Sequence, residues 1–212
     1  MPYVPAHVDT APPCSGTQPC GSSIPGANEA LTYTTAPLQS DVLIAGMVRA
    51  QLYASFDRQE GSLALTLWDI APDGTGTVVT QGWLRASLRA INTSLTTYGP
   101  CGYALRPYHP LTRDSKLPVA GTSNEYLVEL NPVSARFASG HRIRLSVSIT
   151  DGTLLQSSSL NAETMGETVF LSRGLVKASN LLLPIVSTAS QGNKASAIPA
   201  VVGQASERCI SH

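Results

Sequence analysis

Residues 142–149 read RIRLSVSI, and apolar and polar side chains alternate along the whole stretch. Successive side chains of a β-strand point to opposite faces, so this period of two places one row of side chains in a core and leaves the other row wet. Gly140, just before the stretch, suits a turn. The stretch therefore predicts a half-buried strand whose aliphatic row is Ile143, Leu145, Val147 and Ile149.

Similar alternation recurs on both sides of this stretch. Residues 48–56 place Val48, Leu52 and Phe56 in an apolar row, with Arg49 in the polar row. No part of the chain between positions 30 and 186 shows helical periodicity longer than two turns. Short strands without intervening helices predict an all-β fold, an antiparallel two-sheet jelly-roll sandwich (galactose-binding-like). The strand-like segments are residues 48–56, 63–68, 77–84, 125–130, 142–149, 167–172 and 181–186.

Three regions are expected along the chain. Residues 1–29 are rich in Pro and Gly and predict an extended arm, because Pro fixes φ and removes a backbone donor. Residues 30–186 hold the sandwich, and within them residues 90–124 lack periodicity and predict a long excursion between strands, where binding sites often lie. Residues 187–212 predict a Ser/Ala-rich tail, in which residues 198–202 are candidates for an edge strand.

The charge balance excludes one class of partner. Lys and Arg number 14, Asp and Glu also number 14, and the formal net charge is +0. A nucleic-acid-binding domain normally carries a basic surface, so no nucleic-acid partner is expected. No apolar run approaches the roughly 20 residues that a membrane helix needs, so no membrane span is expected either.

The four cysteines are Cys14, Cys20, Cys101 and Cys209. Cys14 and Cys20 flank five residues of a Pro/Gly/Ser segment, which favours a local disulfide over zinc because no common zinc spacing matches. Cys101 and Cys209 either pair with each other or stay free. Disulfides indicate an extracellular or periplasmic location, although residues 1–5 do not resemble a signal peptide, so a secreted protein would be present here in mature or truncated form.

Aromatic and histidine side chains are the candidates for a binding or interface surface. Exposed rings on one face would stack on sugars, whereas buried rings would belong to a core or a domain interface. His141 either hydrogen-bonds near the turn before its strand or packs on a neighbouring domain, and no nucleophile motif accompanies it to favour catalysis. The candidates are Trp68, Trp83, Tyr98, Tyr103, Tyr108, His109 and His141.

No cofactor is expected, and a structural Ca²⁺ is the one metal that the residues leave open. Asp69, Asp73 and Asp151 lie near predicted turns and carry suitable oxygen ligands, but capping a turn is the commoner role of such residues. Four arginines at alternate strand positions predict solvated rows or ion pairs at a domain interface. They are Arg85, Arg89, Arg142 and Arg144.

A series of segments resembles the C-terminal β-sandwich domain of the X-Pro dipeptidyl peptidase and cocaine esterase group of serine hydrolases. Residues 82–89 (GWLRASLR) are similar to its Gly-x-Leu-Arg-Ala segment, and residues 137–145 (FASGHRIRL) to its Gly-His-Arg-Ile-Arg strand. The entry into that domain is matched by residues 31–38 (LTYTTAPL) and 41–46 (DVLIAG), and its closing strand by residues 182–186 (LLPIV). The resemblance covers residues 31–186 and excludes the arm and the tail.

The resemblance implies a jelly roll that packs on an α/β-hydrolase domain and helps to shape its cleft. In such enzymes the nucleophile, its acid and its histidine belong to the hydrolase domain, and the G-x-S-x-G pattern is absent from this chain. No catalytic residue is therefore expected here. Two functions are open: an accessory domain of a peptide- or ester-cleaving serine hydrolase, or a stand-alone secreted module that binds carbohydrate, a surface or other copies of itself.

Overall fold

The computed structural model describes residues 30–99, 102–149, 169–172 and 179–186, and the backbone of residues 197–202. Within these residues the chain forms strands and two short 3₁₀ turns, Ala86–Leu88 and Arg113–Ser115. None of the helical segments described is long or apolar enough to cross a membrane. The strands are β1 (Leu31–Thr34), β2 (Val42–Phe56), β3 (Ser62–Ile70), β4 (Gly76–Arg85), β5 (Thr97–Tyr98), β6 (Ala104–Arg106), β7 (Asn124–Phe137), β8 (Arg142–Ser148), β9 (Val169–Leu171), β10 (Asn180–Val186) and β11 (Ala197–Val202).

Two antiparallel sheets form the domain. The four-stranded sheet has the order β1-β8-β3-β4, and the five-stranded sheet has the order β11-β10-β2-β7, with β9 also paired to β2. The chain crosses repeatedly between the sheets, because β3 and β4 follow β2, and β8 follows β7. This arrangement confirms the predicted all-β antiparallel sandwich.

The core lies between the two sheets and contains the side chains that the alternation predicted. Val48, Leu52, Phe56 and Leu145 are each at most 6% exposed. Leu65, Ile143 and Val147 are buried as well, and Ile149 is partly buried against the same cluster. β3 pairs antiparallel with β4 through a turn in which Gly74 has a φ of +89°.

The two sheets approach each other closely where β4 crosses β7. A Cβ atom built on Gly82 of β4 would lie 2.3 Å from Glu129 O and 2.7 Å from Leu130 Cα. Thr80, two residues earlier, donates its hydroxyl to Asn131 O at 2.7 Å. Only a glycine fits position 82, because the obstacle is the backbone of β7 rather than a flexible side chain.

The structure extends the predicted elements in several places. β7 runs to Phe137, seven residues beyond the predicted segment, and β1 is an additional strand that pairs with β8. β11 lies in the region predicted as a tail, and its backbone pairs with β10. The tail thus contributes the edge strand that residues 198–202 predicted. The three-region division itself stays a prediction, and the predicted arm lies outside the described residues.

We predict that Gly82→Ala destabilises the sandwich by several kcal/mol, on the order of 3, because the new methyl group overlaps the β7 backbone. Gly76→Ala in the same strand is the matched control. Its added Cβ would meet mainly the tip of the Ile70 side chain, at 3.1 Å, which can move. Urea unfolding followed by circular dichroism measures both variants; a Gly82→Ala variant as stable as Gly76→Ala contradicts the close approach.

Candidate functional site

The predicted aromatic residues occupy two parts of the sandwich. Trp68 and Trp83 lie on the outer face of the four-stranded sheet, where they alternate with core side chains. Both are half-buried, and within the described residues neither indole N–H has a hydrogen-bond acceptor. The tyrosines Tyr98, Tyr103 and Tyr108 belong to the excursion instead.

The base of the excursion is built on a buried carboxylate. Glu60, in the loop between β2 and β3, is 7% exposed. Its Oε1 accepts the backbone N–H groups of Gly61 and Ser87, each at 3.1 Å. Its Oε2 accepts the Ser87 hydroxyl at 2.6 Å and lies 2.8 Å from Arg85 Nε. Burial alone would raise the pKa of Glu60, but these hydrogen bonds outweigh it and hold the pKa below its usual value.

This carboxylate fixes the 3₁₀ turn Ala86–Leu88, from which the excursion departs. The Ala86 N–H donates to Gly61 O at 2.7 Å, on the same loop as Glu60. The Ser87 carbonyl accepts the Leu117 N–H at 2.8 Å, which brings the end of the excursion back to its start. The two ends of the connection from β4 to β7 therefore lie side by side and are hydrogen-bonded to each other.

Arg89 strengthens the same closure. Its guanidinium donates to the carbonyls of Ala86 and Pro118 at 3.1 and 2.7 Å, and to Asn124 Oδ1 at 3.2 Å. Its central carbon lies 5.8 Å from the centre of the Tyr126 ring, a cation–π distance. Arg89 thus joins both ends of the excursion and the first residues of β7.

His109 holds the middle of the excursion against β7, an edge strand of the five-stranded sheet. Its Nδ1 lies 3.0 Å from Ala90 O and its Nε2 lies 2.9 Å from Leu127 O. The doubly protonated imidazole donates to both carbonyls, whereas the neutral ring donates to only one. An ion pair of 3.4 Å between Arg106 and Glu129 adds a second attachment of the excursion to β7. These contacts give His109 a positioning role.

The part of the excursion held in this way exposes apolar side chains. We call Leu95, Tyr98, Tyr108 and Leu111 the apolar tip; they are 58%, 42%, 48% and 67% exposed. Backbone pairing of β5 with β6 and the 2.8 Å bond from Asn92 N to Tyr108 O hold their segments side by side. Tyr103 is only half-buried, and its ring would lie 3.0 Å from a Cβ on Gly99.

Leu111 also has an unusual backbone. Its φ is +48°, a conformation that L-residues with a Cβ rarely adopt. The following residues Thr112 and Ser115 form a capping box that fixes the chain beyond it. Leu111 therefore combines a rarely adopted backbone conformation with an exposed apolar side chain.

His141 lies away from the excursion, at the start of β8. Its Nδ1 lies 2.9 Å from Asp69 Oδ1, and the two side chains are 26% and 20% exposed. The ring therefore bonds a side chain of the neighbouring strand β3, which is a structural role. Asp73 caps its own turn by accepting the Thr75 N–H at 2.9 Å, and this bond lowers the pKa of Asp73.

Several predicted residues lie outside the part of the chain that the structure describes: Asp151 and all four cysteines, Cys14, Cys20, Cys101 and Cys209. Structural Ca²⁺, the disulfides and the extracellular or periplasmic location therefore stay predictions. Among the described residues, no three His, Cys, Asp or Glu side chains are grouped so as to hold a metal ion.

The sequence profile of the X-Pro dipeptidyl-peptidase C-terminal non-catalytic domain matches residues 6–171. The chain belongs to this family. The match begins within the predicted arm and ends before the closing segment, so its limits differ from those of the resemblance at both ends. The family assignment itself agrees with the motifs, and it makes this domain a non-catalytic one.

Known relatives of this X-Pro dipeptidyl-peptidase C-terminal domain are longer proteins. A protein of Mycobacterium bovis named as a serine esterase, and one of Mycobacterium tuberculosis with a similar name, are each 30% identical over 158 residues. The alignment covers 74% of this chain but 24% of either relative, so the chain spans about a quarter of their length.

Two solved structures share the fold. A CocE/NonD family hydrolase from Staphylococcus aureus superposes with a TM-score of 0.59 at 18% identity, over 74% of this chain and 30% of the hydrolase. An α-amino acid ester hydrolase superposes with a TM-score of 0.52 at 18% identity, over 74% and 25% of the two chains. At such identities these matches establish the sandwich and nothing finer.

The motif residues of this X-Pro dipeptidyl-peptidase C-terminal domain hold its strands together. In the Gly-His-Arg-Ile-Arg segment, Arg142 donates to Thr35 O at 3.1 Å and Arg144 donates to Thr34 Oγ1 at 2.9 Å. Arg85 bonds Glu60, as described above. Each of these arginines thus has an acceptor within the domain, and the expectation of solvated rows or ion pairs at a domain interface stays a prediction.

Sequence reasoning missed Glu60, the residue on which the excursion depends. The sequence gives little indication of this role, because an acidic residue before a glycine in a loop between strands is typical of a solvent-exposed turn. The partner set Arg85 and Ser87 was visible within residues 82–89, but nothing in the spacing assigns them a carboxylate 25 or more positions away. Leu95 was also missed, because exposure of a leucine in a loop has no periodic signature.

We predict that Glu60→Gln lowers the free energy of unfolding by about 1–3 kcal/mol at pH 7, because the amide removes a charged acceptor and turns an N–H group toward donors. The folded-state pKa of Glu60 is lowered, so its contribution is present above the unfolded value of about 4.3 and is lost as the pH falls through the folded value. The difference between variant and wild type should thus shrink in acid.

Urea unfolding of both proteins between about pH 3 and pH 7 measures this difference. Asp114→Asn, at an exposed position within the other 3₁₀ turn, is the control and should cost less than about 0.5 kcal/mol at every pH. A Glu60→Gln penalty that grows below pH 4 would refute the assignment.

Proposed function

We propose that this chain is the accessory domain of a serine hydrolase that cleaves peptides or esters, and that it docks on the α/β-hydrolase domain through the apolar tip. Membership of a non-catalytic family supports the accessory role. The serine esterase name of the longer mycobacterial relatives supports the class of reaction. We choose the apolar tip as the docking surface because its side chains are exposed while hydrogen bonds within the domain hold its backbone in place.

The tip suits docking because its geometry is set before any partner arrives. Glu60 and Arg89 close the base of the excursion. His109, which follows Tyr108 in the chain, is held to β7 through Leu127 O. An ordered apolar surface loses little conformational entropy on binding, so more of the burial energy appears as affinity. The alternative surface around Trp68 and Trp83 is less suited, because both rings are already half-buried.

The second function class uses the same surface differently. Exposed tyrosine rings stack on sugars, and an apolar patch on an isolated module supports self-association. Both alternatives require the tip to act without a hydrolase. Purified chain that binds an oligosaccharide through Tyr108, or that dimerises through Leu111, would therefore favour a stand-alone module over an accessory domain.

The docking test uses the α/β-hydrolase polypeptide encoded with this chain, in the same gene or operon. We expect Leu111→Asp to weaken the complex at least about ten-fold, since an interface anchor replaced by a charge commonly costs more than 1.4 kcal/mol. Isothermal titration calorimetry measures the affinity. Val78→Asp is the matched control, an aliphatic residue 47% exposed on the outer face of the other sheet.

Two results contradict the proposal. One is a complex that Val78→Asp weakens and Leu111→Asp does not. The other is hydrolysis by the chain alone, seen as turnover of an X-Pro anilide or a short nitrophenyl ester together with labelling of one serine by a fluorophosphonate. In the second case the chain would carry its own nucleophile, and acyl-enzyme chemistry would have to be assigned to its serines.

A further inference from the structure

Arg49 is a charged residue in an unexpected environment. It lies at the centre of β2, in the row that the alternation predicted to be wet, yet it is 3% exposed. Leu182 of β10 flanks it on one side and Glu129 of β7 on the other. β6 of the excursion lies next to β2, and Tyr103, just before β6, is close enough to act on the charge of Arg49.

No described residue hydrogen-bonds or ion-pairs with Arg49. Its Nε is fully buried without an acceptor, although guanidinium groups carry five donors. The two nearest candidates are committed elsewhere. Glu129 pairs with Arg106, and Glu125 accepts hydrogen bonds from Gln51 and from the Tyr53 hydroxyl.

An enclosed charge without a partner destabilises a fold. Burial lowers the pKa of Arg49, and Glu125 and Tyr103 oppose this only from a distance, since neither forms a bond to it. An apolar side chain of similar volume would normally be more stable at such a position. An arginine that costs stability where it stands is typical of a group kept for a ligand.

We propose that Arg49 is a binding site for a carboxylate, which its planar guanidinium would hold through two parallel hydrogen bonds. A carboxylate fits better than a spherical anion because its two oxygens match the spacing of the guanidinium donors. Leu182 and Tyr103 would exclude water from the pair. The site lies on β2 and does not depend on docking through the apolar tip.

Two groups could supply this carboxylate: an acidic side chain of a bound polypeptide, or the free C-terminus of a peptide. The probes are therefore the α-amide of N-acetylglutamate for the side chain and N-acetylglycine for the C-terminus. Each is titrated into the 212-residue chain at pH 7 and constant ionic strength, with sodium chloride and sodium phosphate as reference salts. The melting temperature is read by differential scanning fluorimetry.

We expect at least one probe to raise the wild-type melting temperature by about 3 °C or more at saturation, beyond either reference salt. Arg49→Met should melt at a higher temperature than wild type without a probe, and should lose the probe-dependent shift. Arg113→Met, an exposed arginine of the same excursion, should keep that shift. The probe with the larger shift identifies the source.

A second variant covers the case in which Arg49→Met fails to fold. Arg49→Lys keeps the charge without the paired donors, and we expect it to bind the better probe at least about five-fold more weakly. Three results overturn the proposal: equal shifts in wild type and Arg49 variants, a larger shift with phosphate than with either carboxylate, or a folded Arg49→Met less stable than wild type. The last would show that the domain itself satisfies Arg49.

Discussion

The buried carboxylate of Glu60 is the interaction on which the geometry of the excursion depends. It receives hydrogen bonds from the backbone of its own loop and of the 3₁₀ turn after β4, together with the Ser87 hydroxyl and Arg85. A charge of this kind is tolerated in an interior only when its acceptor positions are filled. The same hydrogen bonds also constrain their donors. They hold the 3₁₀ turn Ala86–Leu88 in one geometry, and this turn sets the direction in which the excursion leaves β4.

Glu60 and Arg49 show opposite outcomes of burying a charge. Glu60 has four donors around it, and its ionised form is favoured despite burial. Arg49 is buried as deeply, has no bonded partner among the described residues, and its charged form is disfavoured. The hydrogen bonds to Glu60 explain how the base of the excursion is held in place. The lack of a bonded partner among the described residues is the reason for proposing a ligand at Arg49.

The sequence predicted the sandwich well because strand geometry is a local property. Alternation along residues 48–56 and 142–149 identifies the apolar face from the pleat alone, and the core contains those side chains. Alternation does not say what covers the opposite face. Arg49 was therefore expected in water, whereas it is buried near the excursion, whose path no periodicity describes. Glu60 was missed for a related reason, because its partners are distant in sequence and only the assembled loops bring them together.

The family motifs explain why the resemblance predicted the fold and not the surface. Gly82 is required by the β4–β7 crossing, Arg85 by Glu60, and Arg144 by the joining of β1 to β8. Each of these motif residues thus takes part in assembling the sandwich of this chain. Tyr108 and Leu111 lie outside the motifs, on a loop whose base the motifs build and whose exposed side chains they leave unspecified. The motifs therefore specify how the sandwich assembles, and they leave open the side chains of the excursion, where we place the proposed docking surface.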